Sequence, residues 1–332
     1  MPKVAQDNAA GRTGLGSREP ANPYIAGLMT EMRRIAGASF QMGSNDFYPE
    51  ERPAHSHTVA DFDIDLTPVT NAEFAEFTAQ TGYVTTAERP IEGYPELSED
   101  LRAPGSIVFT PTSGPVDLSD WRRWWSWVPG ASWRHPGGPG TSIEGLDDHP
   151  VVQVSYFDAC EFAVWADKRL PTEAEFEYAA GCGATTPYAW GDERDPDGRF
   201  MANTYRGRFP YLNSAADGWR STSPVGYFPA NSFGLYDTIG NVWEWTSSYY
   251  TADHHGSLES TSSPCCGPSA ADLNAVAAQS AEPGSTVPRR VIKGGSHLCA
   301  PEYCHRYRPS ARSPQAEDSS TSHIGFRCVR SV

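Results

Sequence analysis

Glycine and proline punctuate this chain so densely, 30 and 28 of them in 332 residues, that long helices and long strands have little room. Gly loses more freedom than any other residue inside a regular element, and Pro lacks the donor such elements need. Side-chain anchoring must hold the rest, and aromatic residues make up 12% of the sequence. The expectation is an α/β (α+β) fold of low regular secondary-structure content, its loops pinned by Trp and Tyr. Hydrophobic content of 39% and charged content of 20% are those of an ordinary globular protein. No internal repeat is visible, which sets solenoids and propellers aside.

Local patterns place a few elements. Arg34 to Ser44 alternates as an edge strand, and Val59 to Leu66 alternates again with Phe62, Ile64 and Leu66 on one face. Thr70-Asn71-Ala72-Glu73 is a capping box opening a helix that buries Phe74 and Phe77 and stops at Gly82. A second helix starts at Ser155, takes apolar contacts from Phe157, Cys160, Phe162 and Trp165, and is interrupted by Pro171. Thr172-Glu173-Ala174-Glu175 is another capping box, for a short third helix. Residues 91–147 carry Trp121, Trp124, Trp125, Trp127 and Trp133. Five indoles can line a groove, but packing a long loop onto the body is the favoured role. The tract from Ala252 to Pro288, with Cys265 and Cys266, reads as a partly mobile loop. Residues 1–22 read as a disordered leader, and 23–332 as a single domain.

Composition also narrows the partners. A formal charge of −15 argues against nucleic acid, whose phosphates need a basic counterface, and leaves room for bound cations. No stretch approaches the ~20 apolar residues that span a bilayer. The N-terminal residues have no apolar core of a secretory signal, so the expected location is the cytoplasm, where disulfides are rare. Seven cysteines leave at least one thiol unpaired.

The chemistry concentrates in Lys293-Gly294-Gly295-Ser296-His297-Leu298-Cys299-Ala300-Pro301-Glu302-Tyr303-Cys304-His305-Arg306-Tyr307-Arg308. A turn at Ala300-Pro301 lets both sulfurs converge. Two soft thiolates favour copper(I), or zinc if two more ligands join, with His297 and His305 as candidates. A structural disulfide is the plainer alternative. No Gly-x-Gly-x-x-Gly or Gly-x-Ser-x-Gly motif supports a dinucleotide enzyme or a serine hydrolase.

These residues resemble the formylglycine-generating enzymes, also called sulfatase-modifying factors. The resemblance extends to Phe40-Gln41-Met42-Gly43-Ser44, Arg169-Leu170-Pro171-Thr172-Glu173-Ala174-Glu175, Asn241-Val242-Trp243-Glu244-Trp245-Thr246 and His323-Ile324-Gly325-Phe326-Arg327-Cys328. It implies a fold related to C-type lectins and oxidation of a Cys to Cα-formylglycine by dioxygen. It also implies an unfolded sulfatase target with a Cys-x-Pro-x-Arg motif, and a thiol reductant. By the same resemblance Cys299 and Cys304 bind copper(I), the target's Cys completes a three-sulfur site, and Ser296 lies beside the metal. Trp243, Tyr303 and Arg306 match positions around the substrate groove. Two oxygen-rich loops, Asn203, Thr204, Asp217, Trp219 and Asp237, Gly240, Val242, Glu244, match structural Ca²⁺ sites. A monomer without membrane or nucleic-acid partners is expected.

This sequence also departs from the family. One disulfide of some relatives falls here on Ala180 and Ser310, so that bridge is absent. Cys328 matches a half-cystine whose partner position is Ala163, and Cys160 one turn earlier can replace it or stay reduced. An iron-dependent sulfoxide synthase on the same fold needs a His cluster, usually near a helical domain this chain lacks. A non-catalytic lectin-like module needs no paired thiols.

Overall fold

The computed structural model describes residues 29–92, 98–252, 254 and 270–332. The leader and the pair Cys265 and Cys266 lie outside the described residues. Regular structure comes in short pieces, as the Gly and Pro content requires. The main sheet joins β9 (Trp243–Tyr249), β10 (Arg289–Lys293), β11 (Arg312–Ala316) and β12 (Ile324–Gly325) in the order β11-β10-β9-β12. β12 runs parallel to β9 and the other pairs are antiparallel. A second sheet has the order β1-β4-β13, from β1 (Met32–Ile35), β4 (Phe62–Asp65) and β13 (Val329–Ser331). Three two-stranded pieces complete the strands: β2 (Ser39–Met42) with β3 (His55–Thr58), β5 (Gly105–Phe109) with β6 (Trp125–Pro129), and β7 (Gly207–Arg208) with β8 (Leu212–Asn213).

The helices are α1 (Asn71–Thr81), α2 (Glu99–Arg102), α3 (Tyr156–Trp165), α4 (Glu173–Gly181) and α5 (Ala270–Ser280). Both expected capping boxes form, and Gly82 ends α1 in the left-handed region at φ 68°. A third box, Ser155 with Asp158, opens α3 and went unread. Phe74 and Phe77 pack with Phe162, Trp133 and Phe326 in a fully buried aromatic core.

Several expectations fail for local reasons. The 34–44 stretch is not one strand: at Gly37 any Cβ would lie 2.4 Å from the Val59 carbonyl oxygen. The chain crosses itself closely there, and β1 and β2 enter different sheets. Phe157 faces solvent at 45% exposure, because α3 buries Phe162 and Ala159 on its other side. α3 stops at Trp165, and Asp167 has already turned to φ 54°, so Pro171 does not end it. The Ala252–Pro288 tract contains α5, whose run of Ala favours helix.

Ion pairs bind the irregular segments from inside. Arg308 grips Glu51, Arg312 grips Glu173 and Arg327 grips Glu244, each through two nitrogens, while Lys293 pairs with Glu177 and Lys168 with Asp65. All are buried. Such pairs add little net stability over apolar packing, but losing one partner is costly. They fix where the C-terminal strands sit against the helices.

Candidate active site

The site begins where β10 ends. Gly294 and Gly295 turn at φ 89° and 74°, and a Cβ on Gly295 would lie 2.8 Å from the Arg306 carbonyl oxygen. Only Gly lets the outgoing and returning chains touch here. The chain then reverses at Ala300, whose carbonyl accepts from Tyr303 N at 3.1 Å and Cys304 N at 2.7 Å. This brings the Sγ atoms of Cys299 and Cys304 to 3.1 Å, and both remain free thiols. Cys160, Cys182 and Cys328 are free as well, so Cys160 and Cys328 are not bridged.

The two sulfurs are not equivalent. The Cys299 thiol donates to Cys304, and with help from Arg306 it brings Cys304 down to about 7 against the opposing effect of burial. Burial, and then that same hydrogen bond, pushes Cys299 well up. Of the two, Cys304 is the sulfur that loses its proton more readily. Arg306 is held by Glu50 Oε1 at 2.5 Å and lies over the Tyr48 ring at 3.8 Å. Burial, then the charges on Cys304 and Cys299, pushes the Tyr303 phenol up to about 12, so it stays protonated.

A cavity of about 200 Å³ opens onto both sulfurs. Every active-site residue expected from the sequence lines it: Cys299, Cys304, Ser296, Trp243, Tyr303 and Arg306. The remaining wall was missed, notably Trp125, Phe209, Gln315 and His323. Phe209 stacks on Tyr303 with ring centres 4.4 Å apart, and Trp125 covers His323 at 4.7 Å. The Trp tract divides accordingly. Trp124 and Trp133 are fully buried packing, Trp121 is exposed, and Trp125 belongs to the cavity. No single-sequence signal separates these roles, since all sit among Gly and Pro.

The two zinc candidates point elsewhere. His297 Nδ1 donates to the Asn241 carbonyl at 2.8 Å, and His305 Nε2 lies 3.1 Å from the Tyr188 hydroxyl. Burial lowers His297 to about 4, and burial with His297 nearby lowers His323 to about 3, so both imidazoles stay neutral.

Asn203, Thr204 and Asp217 of the first oxygen-rich loop, and Asp237 and Glu244 of the second, are buried. In the second, Asp237, Gly240 and Asn241 have φ of 52°, 79° and 60°, a curl that gathers the loop beneath Asn203. Burial raises the Asp237 carboxyl to about 6, against the Gly226 N–H that donates to it at 2.7 Å, the charge of Arg327 and the Asn241 amide. A buried carboxylate with no cation in contact among the described residues fits a hard metal ion. Glu244 is already matched by Arg327. In the first loop Asp217 accepts from Arg206 and from Trp219 N, each at 3.2 Å, so its charge is largely answered and the fit to a cation is weaker. The Thr204 hydroxyl is buried without a partner among the described residues.

A further cluster, Glu173, Glu177 and His254, has ligand atoms within 4.8 Å of one another. Arg312 and Lys293 sit on its carboxylates, so two buried cations balance two anions without a metal.

A loop-rich α+β body presenting two unbridged thiols to an aromatic cavity defines a cysteine-centred enzyme. The chain belongs to the sulfatase-modifying factor family: residues 21–332 match the family described as the sulfatase-modifying factor enzyme 1-like domain. It is 56% identical over 304 residues to the formylglycine-generating enzyme of Mycobacterium tuberculosis, covering 91% of this chain and 98% of that one. The Streptomyces coelicolor formylglycine-generating enzyme is 43% identical over 301 residues, 89% of this chain and 88% of that one. An inactive Cα-formylglycine-generating enzyme 2 from Bos taurus is 35% identical over 309 residues, 91% of this chain and 89% of that one. Among solved structures, PvdO from Pseudomonas aeruginosa superposes with a TM-score of 0.60 at 25% identity, covering 91% of this chain and 95% of that one. The low-regularity α+β, lectin-like fold is thus shared, and activity has to be argued from the site because the family includes an inactive relative.

Proposed function

We propose that this enzyme oxidises the Cys of a Cys-x-Pro-x-Arg segment in an unfolded sulfatase to Cα-formylglycine, using copper(I), dioxygen and a thiol reductant. The observation that carries the reading is the open pair of unbridged sulfurs, 3.1 Å apart, at the base of an aromatic cavity. Two soft donors with no carboxylate among the lining residues fit copper(I). Bound there, copper would supply the one-electron chemistry that lets dioxygen attack an unactivated carbon–hydrogen bond. Dioxygen takes two electrons from the target and two from the reductant, releasing sulfide and water.

The protein's own contribution is placement and dryness. The Cys299 hydrogen bond and the Arg306 charge, held in place by Glu50, favour the thiolate on Cys304. Trp125, Phe209 and Trp243 wall the cavity against water. Tyr303 remains a hydrogen-bond donor throughout, and Ser296, whose hydroxyl accepts from Leu298 N at 3.2 Å, lies at the cavity floor. No helix among the described residues is long and apolar enough to cross a membrane. The test is mass spectrometry of a Cys-x-Pro-x-Arg peptide after incubation with enzyme, copper and air, where a loss of about 18 Da marks the aldehyde. Replacing the peptide's Pro or Arg with Ala is expected to cut turnover, and Cys with Ser to end it. Comparable oxidation of free cysteine would refute the substrate class.

Calcium is proposed for structure alone, at the loops around Asp217 and around Asp237. The pH dependence follows from Asp237. Its carboxyl titrates near 6 in the folded protein against an ordinary 3.8, so without a cation the fold carries an ionisation penalty that grows as pH rises from about 4 through 6. A cation removes that penalty, and protons compete with it below pH 6. The rise in melting temperature on adding Ca²⁺ is therefore expected to be large at pH 7.5 and small at pH 5. Stabilisation reaches about 2.7 kcal/mol at a hundredfold excess over the dissociation constant. Equal shifts at both pH values would remove Asp237 from the ligand set.

A further inference from the structure

On the cavity wall, β11 alternates. Ser313 and Gln315 face the cavity, as does Ile292, the cross-strand partner of Ser313. Arg312 turns the other way onto Glu173. β11 is also the edge of its sheet. The Gln315 side chain is half-buried and makes no hydrogen bond among the described residues. Of the other polar residues in the lining, Arg306 bonds Glu50 and His323 bonds Thr321. A primary amide has one acceptor oxygen and a donating nitrogen, the same pair of functions as a peptide group.

We infer that Gln315 holds the main chain of the target beside its reacting cysteine, its amide bonding reciprocally the N–H and C=O of one residue of the extended target, which point to the same side. The inference rests on the reading proposed above. Such a pair grips an extended chain as a neighbouring strand would and ignores side chains, which suits a motif with unspecified positions. The cavity has no carboxylate in its lining to read the target's Arg, so a main-chain grip is what this wall offers. Gln315 is thus a substrate-positioning residue, distinct from the sulfur pair.

The test uses copper-free protein and a fluorescein-labelled peptide with Ser in place of the Cys, Pro two residues on and Arg four residues on. Fluorescence anisotropy is expected to show about tenfold weaker binding by Gln315→Leu, the effect of two lost hydrogen bonds, with an unchanged melting curve. N-methylating the peptide amides one at a time is expected to find one position that weakens wild-type binding similarly yet adds nothing to Gln315→Leu. Unchanged affinity of Gln315→Leu, or an N-methyl series in which every position is additive with it, would overturn the inference alone. Wild-type protein that neither binds this peptide nor converts its Cys counterpart overturns the proposed function.

Discussion

Cys299→Ser and Cys304→Ser are each expected to abolish copper(I) binding and turnover while leaving the thermal melt close to wild type. The turn that carries them is set by main-chain bonds at Ala300 and by the Gly294-Gly295 crossing, none of which uses a sulfur. A hydroxyl fits either position in size, so the fold has no reason to fail. The metal does, because a single remaining thiolate is too weak a soft donor set to hold copper(I) against water. The variants are not equivalent at the bench. Cys304→Ser removes the sulfur that Arg306 stabilises, whereas Cys299→Ser removes the donor that lowers Cys304. Anaerobic copper titration and differential scanning calorimetry of both proteins check this. Full activity in either variant would overturn the copper assignment.

The second large effect is on stability. Arg327 gives Nε and a terminal nitrogen to Glu244 at 2.7 Å each and reaches the Tyr236 carbonyl at 2.8 Å, with both side chains buried. Arg327→Met leaves the Glu244 carboxylate without its partner and is expected to cost about 3–5 kcal/mol in urea unfolding. Glu244→Gln combined with Arg327→Met removes both charges and is expected to recover most of that loss. Because Glu244 is also a proposed calcium ligand, excess Ca²⁺ should narrow the gap between Arg327→Met and wild type. A single-variant loss below about 1 kcal/mol, the range of an exposed pair, would mean the pair is not acting as a buried one.

What the sequence made legible is what local chemistry determines. Thr70 with Glu73 and Thr172 with Glu175 announce their helices because the cap is a bond between residues three apart. The sulfur pair was readable for the same reason, five residues and one turn. Phe209, Trp125, Gln315 and His323 were not, because they reach the cavity from separate elements brought together only by the sheet and the hairpins. The matching of Glu244 by Arg327 and of Asp217 by Arg206 was likewise invisible. A list of oxygen ligands says nothing about which guanidinium the fold delivers to them. Phe157 failed differently: its apolar character was read as burial although α3 has a solvent side.

The internal charge pairs also constrain how this protein can change over generations. Glu51 and Arg308, like Glu173 and Arg312, are far apart in the gene yet each is sealed against the other away from water. Replacing one member first passes through a protein with an orphaned charge, the costliest of the four combinations. Drift at these positions should therefore be slow and come in coupled steps. At exposed positions such as Val164 and Val332 single substitutions are nearly neutral. A laboratory lineage selected only for folding should accumulate changes on its surface long before it exchanges any of these partners.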